Sequence, residues 1–99
     1  MPHFVLVYEF VPDFMARRMA VREAHLQFLR DAQACGLLQT SGPLGDPPDG
    51  ALLVFHGPHA SVAEAFARND PYVINGLVTA WRVRPWNVVT GDSSGRRQM

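Results

Sequence analysis

Apolar positions crowd the start of the chain. Residues 4–11 are rich in β-branched and aromatic side chains and almost continuously apolar, the pattern of a strand covered on both faces. Pro12-Asp13 ends the run, and Asp13 is placed to cap the helix after it. Over residues 14–35 the period changes. Val21, His25, Phe28, Leu29 and Ala32 recur at three- and four-residue spacing and share one face of a helix, with a break expected near residues 18–22. Gly36 fits the position just past a helix end. Residues 37–41 predict a second strand, stopped by Gly42-Pro43, and residues 44–50, with Pro47-Pro48, predict a loop. Residues 51–56 are again apolar at consecutive positions and predict a third strand. Ser61 and Glu64 have the spacing of a capping box for a helix reaching about residue 68, and Asp70-Pro71 reads as the N-cap and first turn of another short helix. Residues 78–89 predict the fourth strand, interrupted late by Pro85. The expectation is one domain over residues 1–90 followed by a polar, flexible tail, 91–99.

The order β-α-β-β-α-β is that of an α+β, ferredoxin-like fold: an antiparallel sheet with helices on one face. Two helices cover only one face of four strands, yet the first and third strands are apolar on both. A second copy of the chain is the simplest cover, so the pattern predicts a homodimer through the sheet face, two sheets forming a dimeric α/β-barrel.

Composition sharpens this picture. Charged residues make up 18% of the chain, against roughly 25% in ordinary soluble domains, which leaves few to coat a free surface. The formal net charge is zero, so no field favours nucleic acid. The nine basic residues are all Arg, which excludes Schiff-base chemistry on a lysine side chain. The single Cys35 cannot form an intrachain disulfide and reads as a buried helix-end residue. No stretch approaches the ~20 apolar residues of a membrane helix and no secretory signal is visible, so no membrane partner and a cytoplasmic location are expected.

Candidate chemistry concentrates on His25 and Asp70. If folding brings them together, they make an imidazole oriented by a carboxylate, a device for moving protons near neutral pH. Packing offers ordinary readings of each: a core histidine bonded to a backbone carbonyl, and an N-cap aspartate. The two roles of Asp70 are compatible, since a carboxylate that accepts backbone N–H bonds is fixed and ionised. Arg18 and Arg22, one turn apart near His25, read either as a clamp for a substrate anion or as surface ion-pair partners. Ser41 and Gly42 offer a hydroxyl and a close backbone N–H, or simply end a strand. Tyr72 offers a phenol, or packs. His56 and His59 on a turn, without a Cys pair or an HExxH helix, point to no metal site. No Gly-rich phosphate loop, dinucleotide fingerprint or nucleophile elbow is present, and no cofactor is expected.

The ordered set Arg18-x-x-x-Arg22-x-x-His25-Leu26, Gly36-Leu37-Leu38 leading to Ser41-Gly42-Pro43, Asp70-Pro71-Tyr72 with Gly76, and Pro85-Trp86 resembles the YCII-related (YciI-like) proteins over roughly residues 3–88. The resemblance implies a dimeric α+β barrel with the architecture of muconolactone isomerase. It also implies an active site built from a His and an Asp, which fall here on His25 and Asp70. One branch of the family resembles enzymes that eliminate chloride from chlorinated hydroxyquinols. Glu23 stands where some relatives carry Pro, which implies an earlier helix start. The reading favoured is a small cofactor-independent enzyme that transfers protons, by isomerisation or elimination, on a small acidic or phenolic molecule. A non-catalytic dimer that binds a small molecule or a protein is the alternative, and a cofactor-free oxygenase a third.

Overall fold

The eight residues of β1 (His3–Phe10) run through the interior of the sheet, and the other elements are arranged around them. The computed structural model describes residues 2–91. After β1 come α1 (Phe14–Arg17), a 3-10 turn (Arg18–Ala20), α2 (Arg22–Ala34), β2 (Leu38–Leu44), β3 (Gly50–His56), α3 (Ser61–Asn69), α4 (Pro71–Ile74) and β4 (Val78–Trp86). All pairings are antiparallel, in the order β2-β3-β1-β4, which is the expected ferredoxin-like α+β fold. The expected polar tail lies, from residue 92 onward, outside the described residues.

Alternation along β1 sends Phe4, Leu6, Tyr8 and Phe10 to the helical side. Leu6 stands opposite Leu53 and Val83, and Tyr8 opposite Ala51 and Trp81. Leu6, Tyr8, Leu53 and Phe55 are buried there with Ala63, Phe66 and Ala67 of α3, while Phe28, Leu29 and Ala32 of α2 pack against them. Each large apolar side chain in this layer contributes about 1.5–3 kcal/mol. A second cluster, Phe14, Tyr72 and Leu77, ties α1 and α4 to the end of the sheet. On the opposite face alternation places Val5, Val7, Leu52 and Val54, none of which joins either helix-packed cluster.

Several boundaries differ from expectation. β2 does not stop at Gly42-Pro43 but pairs through both, opposite Leu52 and Ala51. It is an edge strand, so the missing Pro43 N–H breaks no ladder on its outer side. β4 lies on the other edge and ends at Trp86, one residue past Pro85, rather than at Val89. Ser61 is no cap: α3 begins with Ala60 at its N-cap, and the Glu64 N–H bonds to the Ala60 carbonyl. Asp13 occupies the N-cap of α1 without a side-chain bond, its carboxylate lying instead 3.9 Å from Arg17. The helical break does fall where expected, at Val21 within residues 18–22, and α2 starts at Arg22, one residue ahead of Glu23. Cys35 is exposed, not buried. It is the C-cap of α2, where the chain reverses through Gly36 (φ +80°) before the apolar stripe can carry it onto the sheet.

Candidate active site

Asp70 is the joint between α3 and α4, in extended backbone that ends one helix and caps the next. Pro71, with no N–H to satisfy, occupies the first helical position. The Asp70 side chain is fully buried, and burying a carboxylate is costly unless donors surround it. Two do, and an imidazole completes the shell: the Tyr72 N–H donates to Oδ1 at 3.0 Å, the Tyr8 hydroxyl donates to Oδ2 at 2.7 Å, and His25 Nδ1 lies 2.8 Å from Oδ1.

His25 is held by the first turn of α2, its N–H bonded to the Val21 carbonyl, and its side chain is 12% exposed. The Tyr72 ring stacks face to face on the imidazole, centroids 3.7 Å apart and planes 8° from parallel. Phe14 meets Tyr72 edge-on at 5.4 Å and itself stacks on Phe10 at 3.7 Å. These contacts fix the ring plane of His25. Asp70 fixes its rotation, so one nitrogen is committed to the carboxylate and the other is left for chemistry.

His25 lines a cavity of about 200 Å³, together with Arg18, Arg22 and Tyr72 on the helical side and Ser41 and Gly42 on β2. Phe10, Phe14, Ala51 and Leu53 complete largely apolar walls. Arg18 Nε is buried without a hydrogen-bond partner among the described residues. Among the described residues neither Arg18 nor Arg22 pairs with an acid, whereas neighbouring Arg17 and Arg30 pair with Asp13 and Glu23. Burial pushes the Tyr72 phenol above its ordinary range, while the charges of Arg22 and then Arg18 pull it down and that of Asp70 adds to the rise. The cavity wall thus combines two guanidiniums that have no acidic partner among the described residues with aromatic rings and an imidazole.

Six of the seven residues expected from the sequence thus line one cavity, and Asp70 stands behind His25. Ser41 and Gly42 lie within β2 rather than at its end. Tyr8 was not among the expected residues. Its signal was a phenol at a core-facing strand position, where a buried hydroxyl must find a partner. A second groove lies beside the first, between α2 and β2, lined by Gln33, Gln39 and Thr40 among others, and Gln39 Oε1 has no hydrogen-bond partner among the described residues. His56 stacks with His3 at 6.0 Å, and among the described residues no three His, Cys, Asp or Glu converge as metal ligands. No helix among them is long and apolar enough to cross a membrane.

Comparison with known proteins adds relatives to this geometry. Residues 1–87 match the model of the YCII-related domain. An uncharacterized protein of Haemophilus influenzae is 29% identical over 96 residues, which cover 88% of this chain and 98% of that protein. The protein YciI of Escherichia coli is 30% identical over 95 residues, covering 87% and 97%. The solved structure of 5-chloro-2-hydroxyhydroquinone dehydrochlorinase (TftG) from Burkholderia phenoliruptrix, in complex with 2,5-dihydroxybenzoquinone, is similar with a TM-score of 0.71 at 25% identity, over 85% of this chain and 92% of that one. An antibiotic biosynthesis monooxygenase, 10% identical with a TM-score of 0.56 over 91% of this chain and all of that one, shares the fold.

Proposed function

We propose that this chain, which belongs to the YCII-related family, is a small cofactor-independent enzyme that moves protons on a small acidic or phenolic molecule, by isomerisation or by elimination. The observation that carries the reading is the 2.8 Å contact between His25 Nδ1 and Asp70 Oδ1 at the wall of a cavity holding two arginines that have no acidic partner among the described residues. Similarity to a dehydrochlorinase supports it.

Arg18 and Arg22 hold the anionic oxygen of the substrate, and Tyr72 supports the imidazole from its stacked face. His25 Nε2 takes the proton. Asp70 keeps Nδ1 protonated before the transfer and stabilises the imidazolium after it. In an isomerisation the imidazolium returns the proton to another atom of the substrate. In an elimination the leaving group departs with its bonding electron pair and the proton stays on His25 until water removes it, so that the elements of an acid such as HCl are lost. A positioned acid–base group supplies about 10²–10⁴-fold, which suits reactions beside a carbonyl or in an electron-rich ring rather than a difficult hydrolysis.

The molecule works as a homodimer, a second copy covering the sheet face that carries Val5, Val7 and Leu52. Chloride release from 5-chloro-2-hydroxyhydroquinone tests the elimination. The native chain should turn it over, with His25→Ala and Asp70→Asn slower by about 10²–10⁴-fold. Equal rates in all three proteins would remove His25 from the chemistry. Binding without turnover that survives His25→Ala would favour a non-catalytic module.

A further inference from the structure

We infer that Tyr8 is a positioning residue of this site: by donating its hydroxyl hydrogen to Asp70 Oδ2 it compels Asp70 to remain an acceptor, and so keeps the His25 proton on Nδ1 and the Nε2 lone pair toward the cavity. The inference rests on the reading of His25 as the base.

Asp70 is completely buried, so no solvent adjusts its hydrogen bonding. At Oδ1 it meets the Tyr72 backbone N–H, a group that can only donate. At Oδ2 it meets the Tyr8 hydroxyl, for which Asp70 is the one hydrogen-bond partner among the described residues. Turned elsewhere, that O–H would lie unpaired in the core. Burial first, then the Asp70 charge and the hydrogen bond to it, push the Tyr8 phenol far above its ordinary range, so it keeps its hydrogen at working pH. Both carboxylate oxygens therefore face hydrogens that do not leave, and an acid proton on Asp70 has no favourable place. The remaining hydrogen, shared with the imidazole, belongs to Nδ1.

The fold makes Tyr8 suited to the task. It lies on an interior strand, paired with Ala51 on one side and Trp81 on the other, and reaches across 62 residues of sequence to the helical layer. The ionisable groups facing His25 are Asp70 and Tyr72 from the α3–α4 joint, Arg18 and Arg22 from the cavity wall, and Tyr8 acting through Asp70. On its own helix, Glu23 is already paired with Arg30.

The test is an NMR titration of the full chain without any ligand, with 15N in the histidine rings and 13C at Tyr Cζ. The two tyrosines are Tyr8 and Tyr72, so Tyr8→Phe assigns both signals. In the native chain His25 should show the Nδ1–H tautomer above its titration, and the Tyr8 Cζ signal should move at the His25 midpoint, because its bond to Asp70 strengthens as the imidazolium is lost. Tyr8→Phe withdraws a donor from the anion, the pair holds its proton more tightly, and the His25 midpoint should rise by about one pH unit. Leu6→Val, which loses a core methylene on the same strand but no hydroxyl, should leave the midpoint in place. A Tyr8 signal that stays flat through the His25 titration, or a midpoint unchanged or lowered in Tyr8→Phe, overturns the inference. If Tyr8→Phe does not fold, Tyr72→Phe assigns the two signals instead, and the native chain still decides through the Tyr8 signal. Turnover does not enter: a flat Tyr8 beside His25-dependent turnover removes the role of Tyr8 alone, and a coupled Tyr8 without turnover removes the proposed reaction alone.

Discussion

Asp70 serves two masters, a helix start and an imidazole, and substitutions separate them. Asp70→Asn keeps an oxygen for the Tyr72 N–H but loses the charge, so it should abolish support of the imidazolium with a modest loss of stability. Asp70→Ala loses the cap and leaves the Tyr8 hydroxyl and the His25 ring without a partner, and should cost about 2–4 kcal/mol by urea unfolding. Tyr8 has its own pH signature. Its phenol is pushed up in the folded chain, whereas unfolding returns it to the ordinary value near 10. Above about pH 10 the unfolded state binds fewer protons than the folded one, so the stability Tyr8 contributes, complete below that pH, falls as pH rises, by about 1.4 kcal/mol per pH unit. Unfolding curves between pH 9 and 11 (about one unit either side of that value) should show this decline, shallower in Tyr8→Phe. At this scale the sequence was legible where a residue broke its context, as His25 does on an apolar helix face and Asp70 before Pro71. Tyr8 breaks nothing locally, since an aromatic belongs in a strand, and its polar partner lies far along the chain.

The elements were legible through period and punctuation. The apolar stripe of α2 and its end at Gly36 follow from spacing and from the one residue tolerant of positive φ. The strands were found but two of their ends were not: Gly42-Pro43 does not stop β2, an edge that needs only one row of hydrogen bonds, and β4 ends at Trp86, short of the apolar run that reaches Val89. Gly50, at the start of β3, matters for a different reason: a Cβ there would press against the Tyr8 carbonyl oxygen. Gly50→Ala should force β3 away from β1 beside the residue that holds Asp70. We expect about 1–3 kcal/mol of lost stability in urea and a weaker response of Tyr8 to the His25 titration. A fully stable variant with an unaltered response would mean that this close approach does not set the position of Tyr8.

At the scale of the whole molecule, the sequence implied more apolar surface than two helices can cover; Val5, Val7 and Leu52, on the face away from the helices, are half-buried in the single chain, and the proposed second copy would cover them. Sedimentation should find a dimer for the native chain and a monomer for Val7→Asp, whose charge would be buried against its copy. A monomeric native chain would contradict the proposed assembly. The proposed function requires a small planar anion to bind in the cavity against Arg18 and Arg22 with its acidic edge on His25. Titrating the 15N-labelled chain with salicylate examines it most directly. The account predicts that the His25 ring nitrogens, Tyr72 and Ser41 shift together, and that Arg22→Ala weakens the affinity by about tenfold, the loss of one charge-assisted contact. Shifts confined to the neighbouring groove around Gln33 and Gln39, or an affinity untouched by Arg22→Ala, would contradict it.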